Sequence, residues 1–169
     1  AYKHSSDDKY SLSDDNISCI YKDPSGLLWI GTWGGGIHIC NTEQKSFRHY
    51  THKADDPSTL SAKGVSAVYE DRNGTLWIGT WDGGLNRMDR TNNRFIHYQN
   101  NPNDRTSLSN NAVSAIYEDS FGILWIGTWQ GGLNKFDREK EKFYKFQNDP
   151  LNPASISDDR IVTICEDPN

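Results

Sequence analysis

The 169-residue chain carries a net charge of −5 and an isoelectric point near 5.5, which excludes the basic surface that nonspecific nucleic-acid binding requires. Apolar content is 34% and mean hydropathy −0.81, low for a globular core, yet aromatics reach 12% with six Trp and eight Tyr. The core must therefore rest on a few large rings. No apolar run approaches the ~20 residues that span a bilayer. No leader-like segment is visible and the chain opens at Ala1 without Met, so the lack of a targeting signal excludes nothing.

In chain order, LWIGTWGGGI at Leu28–Ile37 returns as LWIGTWDGGL at Leu76–Leu85 and as LWIGTWQGGL at Leu124–Leu133. Trp29, Trp77 and Trp125 are each 48 positions apart. The register holds outside these strings, through Leu12, Leu60, Leu108 and Ile156, and through Asp23, Asp71, Asp119 and Asp167. A fixed period of this length marks an array of supersecondary units. Residues 1–9 read as the end of a preceding unit and its loop. Residues 10–57, 58–105 and 106–153 read as three whole units, and 154–169 as the first strand of a fourth.

The second unit shows the pattern. Gly64–Glu70 is rich in β-branched and aromatic residues and short enough for a strand. Asp71-Arg72-Asn73-Gly74 is a turn, with Asp to accept local backbone bonds and Gly for positive φ. A second strand spans Thr75–Thr80, Trp81-Asp82-Gly83-Gly84 forms a hairpin connection, and a third strand spans Leu85–Asp89. Arg90–Asn93 turns into a fourth, Arg94–Gln99. Leu76 and Ile78 face one side of the second strand and Trp77 the other, so the meander has two apolar faces. Sheets of this kind are stable when stacked radially, and helical periodicity is absent. The expected fold is all-β, a β-propeller of four-stranded antiparallel blades. Its ring is incomplete, with about three and a half blades in this chain. A buried indole removes ~150–250 Å² from water, roughly 4–6 kcal/mol as an upper bound.

Alternating strand direction puts the second-to-third hairpins on the same rim as the long inter-unit segments His52–Lys63, Asn100–Asn111 and Asn148–Asp159. That rim is the expected binding face. The three cysteines, Cys19, Cys40 and Cys165, replace Ala, Met or Phe, and Tyr in the other units, as small strand hydrophobes. The glycine strings lack the pattern of a phosphate loop and no helix follows them. One Asp per Asp-x-x-Gly turn falls far short of a calcium site.

The runs ISCIYKDPSGLLWIGTWGGGI, VSAVYEDRNGTLWIGTWDGGL and VSAIYEDSFGILWIGTWQGGL closely resemble the two-component regulator propeller repeat, and IVTICED at Ile161–Asp167 resembles the opening of a fourth. The resemblance implies the periplasmic sensor region of a hybrid two-component histidine kinase of the Bacteroidetes kind. There, propellers of about seven blades precede a β-sandwich, a membrane span and a kinase, and many such sensors respond to oligosaccharides. It implies that the open faces of this chain meet further blades in cis or a second copy, and that this segment touches neither membrane nor nucleic acid. The Asp-x-x-Gly turns also resemble the structural Asp-box turns of sialidases.

Within this frame Trp29, Trp77, Trp125, Asp23, Asp71, Asp119, Gly26, Gly74 and Gly122 read as structural. Trp33, Trp81 and Trp129 on the hairpin rim either stack on sugar rings, each indole offering an apolar face with a polar edge, or pack beneath the loops against the next blade. Gly34, Asp82 and Gln130 vary inside the constant frame, which suits ligand contacts or a tolerant turn, and Asp82 and Gln130 join the candidate ligand-binding set. No catalytic residue, metal ligand or cofactor is expected. A propeller glycosidase needs facing carboxylates ~5–9.5 Å apart. Asp55, Asp56, Asp82 and Asp104 lie on the rim, but no acid pair with an orienting His or Arg stands out, and the five His lack ligand spacing. A noncatalytic, carbohydrate-sensing module is the leading expectation. A protein-interaction scaffold of the WD-repeat or kelch kind is the second, although kelch places its glycine pair before the Tyr and Trp. A glycosidase or lyase is the third.

Overall fold

The computed structural model describes residues 2–41 and 46–167. Ala1, positions 42–45 in the last turn of the first unit, and the final two residues of the 154–169 segment lie outside the described residues. Alternating apolar patterns fold as twelve strands. The first blade is β1 (Ile17–Lys22), β2 (Leu28–Thr32), β3 (Ile37–Asn41) and β4 (Ser46–Tyr50). The second is β5 (Val65–Glu70), β6 (Leu76–Thr80), β7 (Leu85–Asp89) and β8 (Arg94–Tyr98). The third is β9 (Val113–Glu118), β10 (Leu124–Thr128), β11 (Leu133–Asp137) and β12 (Lys142–Phe146). Each set is an antiparallel meander in chain order. The architecture is all-β, three propeller blades in an unclosed arc.

Strand edges move slightly from the sequence reading. β5 begins at Val65 rather than Gly64, β6 at Leu76 rather than Thr75, and β8 ends at Tyr98 rather than Gln99. Thr75 belongs to the turn, its carbonyl accepting the Asp71 amide at 3.0 Å.

Neighbouring blades meet along the first strand of each and the second strand of the one before it. The second strand carries a glycine where the next blade approaches. A Cβ on Gly31 would lie 2.7 Å from Cγ1 of Val65, and one on Gly79 2.6 Å from Cγ1 of Val113. Val65 and Val113 are fully buried as a result, whereas their counterpart Ile17 is 39% exposed. Ile161 repeats the contact, 2.5 Å from a Cβ on Gly127, and its amide donates to the Thr128 carbonyl at 3.0 Å. Residues 161–167 form no ladder, but Ile161 lies against the third blade as Val113 lies against the second.

Farther from the axis the mid-strand indoles fill the wedge between blades. Trp77 is 1% exposed. Its ring meets Phe136 of the third blade edge-on at 5.4 Å and tilts against Tyr98 at 6.0 Å. Trp29 stacks on Tyr50 at 6.4 Å under the Arg90 guanidinium. Trp125 is half-buried and meets only Phe146 of its own blade, at 5.8 Å.

Each indole is tied to the turn before it. Trp29, Trp77 and Trp125 donate through Nε1 to Oδ2 of Asp23, Asp71 and Asp119 at 2.9, 2.8 and 2.8 Å. The other oxygen of Asp71 accepts the amides of Asn73 and Thr75 at 3.0 and 2.9 Å. Gly74, at φ 75°, closes the turn in a backbone region that L side chains rarely adopt. Burial alone would raise the Asp71 carboxyl. Bonds from Trp77, Arg138 and Thr75 outweigh it and hold the group below its ordinary value. Asp23 and Asp119 are lowered in the same way, against burial, by their indole and turn bonds.

The same rim carries a chain of ions across the second seam. Arg138 reaches Asp71 at 2.6 Å and Glu118 at 2.7 Å, and Glu118 also accepts the Arg72 amide at 2.8 Å. One blade on, Glu166 accepts the Ser120 amide at 2.9 Å. One blade back, Glu70 pairs with Arg90 at 3.2 Å, but Pro24 stands where the amide donor should be, and buried Oε2 of Glu70 has no partner.

Two outcomes follow from this packing. Trp77→Ala destabilises the chain by about 3–5 kcal/mol through cavity formation, while Trp125→Ala costs about 1–2 kcal/mol because that ring is already partly exposed; urea denaturation of both variants measures the difference. The lowered Asp carboxyls contribute stability that is present above the unfolded carboxylate pKa of about 4 and is lost as pH falls through their folded values. Asp71→Asn therefore flattens the acid limb of a stability–pH curve and costs about 2 kcal/mol at pH 7, where a charge-assisted bond to Arg138 is removed.

Candidate functional site

On the opposite rim each hairpin begins with the second indole of its unit. Trp33, Trp81 and Trp129 follow the buried threonines that end β2, β6 and β10. Thr80 Oγ1 donates to the Gly84 carbonyl at 2.9 Å and accepts the Gly83 amide at 3.1 Å, which fixes the hairpin. The Trp81 amide donates to the Gly64 carbonyl at 3.0 Å, and the Trp129 amide to the Ala112 carbonyl at 2.9 Å. The hairpins are thus pinned to the inter-blade segments, and the indoles are held at their roots.

The three rings form one row. Trp33 lies nearly parallel to Trp81, with centroids 5.0 Å apart and planes 14° from each other. Trp81 then meets Trp129 edge-on at 6.4 Å and 80°. Trp33 is 56% and Trp129 41% exposed, while Trp81 between them is half-buried. A spacing of 5.0 Å leaves no room for a sugar ring between Trp33 and Trp81, so the exposed surfaces of Trp33 and Trp129 are the available platforms. The rings pack on one another across the blades, and the row still presents apolar surface to solvent.

Asp82 and Gln130 are exposed at the hairpin tips. Asp82 joins Trp33 and Trp81 at a cleft of about 560 Å³ between the first and second blades. The floor is Ala62, Lys63 and Gly64 from the inter-blade segment. Gln130 lies at the third hairpin and lines no part of this cleft.

The inter-blade segments are ordered by recurring clips. Asn100 and Asn148 donate to the carbonyls of Leu108 and Ile156 at 2.8 and 2.7 Å. His52 and His4 take the same place against Leu60 and Leu12, both at 2.7 Å. Rim acids are largely spent inside their own loops. Asp56 accepts the Ser58 amide at 3.0 Å, and Asp104 the Thr106 amide at 2.8 Å. Among the described residues no group of three His, Cys, Asp or Glu side chains could hold a metal ion.

Two features escaped the sequence reading. His38, fully buried, occupies the position of Asn86 and Asn134 and pairs with His49 at 2.8 Å. Burial, then the His49 charge, push its pKa down to about 4. The second feature is the cleft floor, where Ala62 and Gly64 are smaller than most of their counterparts; counting changes against the period would have found it.

The chain matches the two component regulator propeller family over residues 11–34, 59–82 and 107–130. Among solved structures it is similar to the extracellular domain of BT3049, designated a hybrid two component system of B. thetaiotaomicron, at 27% identity and a TM-score of 0.72 over 85% of this chain. It is similar to the extracellular domain of BT4673 of the same organism at 20% identity and a TM-score of 0.75 over 95% of this chain. It shares its fold with PorZ, a surface component of the type-IX secretion system of Porphyromonas gingivalis, at 15% identity and a TM-score of 0.67 over 99% of this chain. The chain spans 20% of the length of each of the first two and 26% of PorZ. No curated protein sequence matches it. The recurring first strand, Asp turn and Trp-bearing strand of each unit are the parts that match the two component regulator propeller repeat.

Proposed function

We propose that this chain is a noncatalytic part of the extracytoplasmic sensor region of a two-component receptor, and that its hairpin rim binds an oligosaccharide. The observation that carries this reading is the indole row, with Trp33 and Trp129 exposed on a rim whose backbone is otherwise pinned. Apolar faces with a polar edge, fixed on a rigid scaffold, suit pyranose rings. The likeness to extracellular domains of hybrid two component systems supports placement outside the cytoplasm, in the periplasm, with the bound state passed to a histidine kinase. Further blades in cis cover the half-exposed Ile17 and Trp125 faces; self-association is the alternative cover. A protein-interaction scaffold is the second functional reading, since the same exposed aromatics suit a protein partner.

Isothermal calorimetry against a panel of neutral and acidic oligosaccharides tests it. Trp33→Ala and Trp129→Ala each weaken binding about tenfold with little loss of stability. Trp81→Ala weakens binding as well, because Trp33 loses the ring on which it rests. Unchanged affinity in all three variants removes the rim from the site.

A further inference from the structure

The repeat supplies its own reference for what is missing at the first seam. In the inter-blade segment before the first blade, the Asp14 carboxylate bridges two backbone donors. Oδ1 accepts the Asn16 amide at 2.9 Å and Oδ2 accepts the Gly34 amide at 2.7 Å. Before the third blade Asn110 accepts the Ala112 amide at 2.8 Å, and in the last such segment Asp158 accepts the Arg160 amide at 2.8 Å. Before the second blade the same position is Ala62, which has no acceptor.

The amides of Gly64 and Asp82, counterparts of those that Asp14 caps at Asn16 and Gly34, make no hydrogen bond among the described residues; in the third blade Asn110 caps the Ala112 amide alone. A third donor lies beside them. Nε1 of Trp81 is buried and has no hydrogen-bond partner among the described residues, and the neighbouring Cδ1 would stand 3.2 Å from a Cβ on Gly64. Ala62, Gly64, Trp81 and Asp82 all line the single cleft between Trp33 and the second hairpin. A wall of indole thus adjoins backbone donors from which the chain has withdrawn its own carboxylate.

We infer that this cleft takes a carboxylate-bearing sugar, a uronate, whose carboxylate occupies the place that Asp14 fills one blade earlier. The inference rests on the sugar-binding reading of the rim and adds the ligand's charge and seat. Two N–H donors bridging one carboxylate give charge-assisted bonds, stronger than neutral ones. Lys63 at the floor supplies a cation, and the exposed Asp82 carboxylate at the mouth is left to accept sugar hydroxyls.

Amide NMR of the chain, titrated with sodium acetate, methyl glucuronide and methyl glucoside, tests the assignment. Acetate and glucuronide should shift the Gly64 and Asp82 amides and the Trp81 indole proton saturably, with glucuronide at least tenfold tighter than glucoside. Ala62→Asp refills the cap as Asp14 does and should abolish the shifts at both Gly64 and Asp82, whereas Ala62→Asn refills it as Asn110 does, at one amide, and should abolish the Gly64 shift, each leaving the remaining spectrum in place. Persistence of the Gly64 shift in either variant, or of the Asp82 shift in Ala62→Asp, overturns the inference. If glucoside and glucuronide perturb the Trp33 and Trp129 rings equally and leave Gly64 and Asp82 still, the carboxylate seat is lost and sugar binding stands. If acetate moves Gly64 and Asp82 but no sugar reaches the Trp33 and Trp129 rings, the carboxylate seat stands and the sugar reading falls. If no probe moves any of these signals, both are overturned.

Discussion

A branched side chain pressed onto a glycine is the contact that organises this molecule. Val65 sits on Gly31 and Val113 on Gly79, close enough that a single methyl group on either glycine would collide. That approach brings the first strand of one blade within reach of the second strand of its predecessor and sets the angle of the wedge. The wedge then has a width that only a large ring fills, which is why Trp77 meets Phe136 across the seam. The indole in turn needs an acceptor for its N–H, and Asp71 supplies one while closing the turn that begins β6. Glycine, indole and carboxylate are therefore one linked requirement, and this explains why they recur together with the period.

Most of the architecture was legible because the chain repeats it. Four short strands per unit, the Asp turn, the glycine hairpin and the buried first Trp all follow from pattern and turn chemistry, since each depends on neighbours within one unit. What crosses between units was harder to read. The Arg138 link to both Asp71 and Glu118 joins side chains brought together by stacking, and no local rule predicts it. His38 in an asparagine's position escaped notice for a different reason, since its partner His49 lies within the same unit, opposite it on the adjacent strand.

The site was legible only in outline. Sequence placed Trp33, Trp81 and Trp129 on one rim but left open whether they face a sugar or pack beneath the loops against the next blade. The 5.0 Å approach of Trp33 to Trp81 depends on Gly64, where a larger residue would press on both the Trp33 carbonyl and the Trp81 ring. Ala62 drew no notice because a missing cap leaves no conspicuous residue. Its meaning emerges when Asp14, Asn110 and Asp158 are seen making the bond that it omits.

Pro24 gives the same seam a second peculiarity, on the far rim. Glu118 and Glu166 each bind a backbone amide of the preceding blade, but an imide nitrogen has nothing to donate, and Glu70 is left with an idle oxygen. Among the described residues the junction of the first two blades thus lacks the carboxylate–amide link that ties the second blade to the third. One imide nitrogen leaves the rings of Trp29, Tyr50 and Phe95 to hold that seam without it.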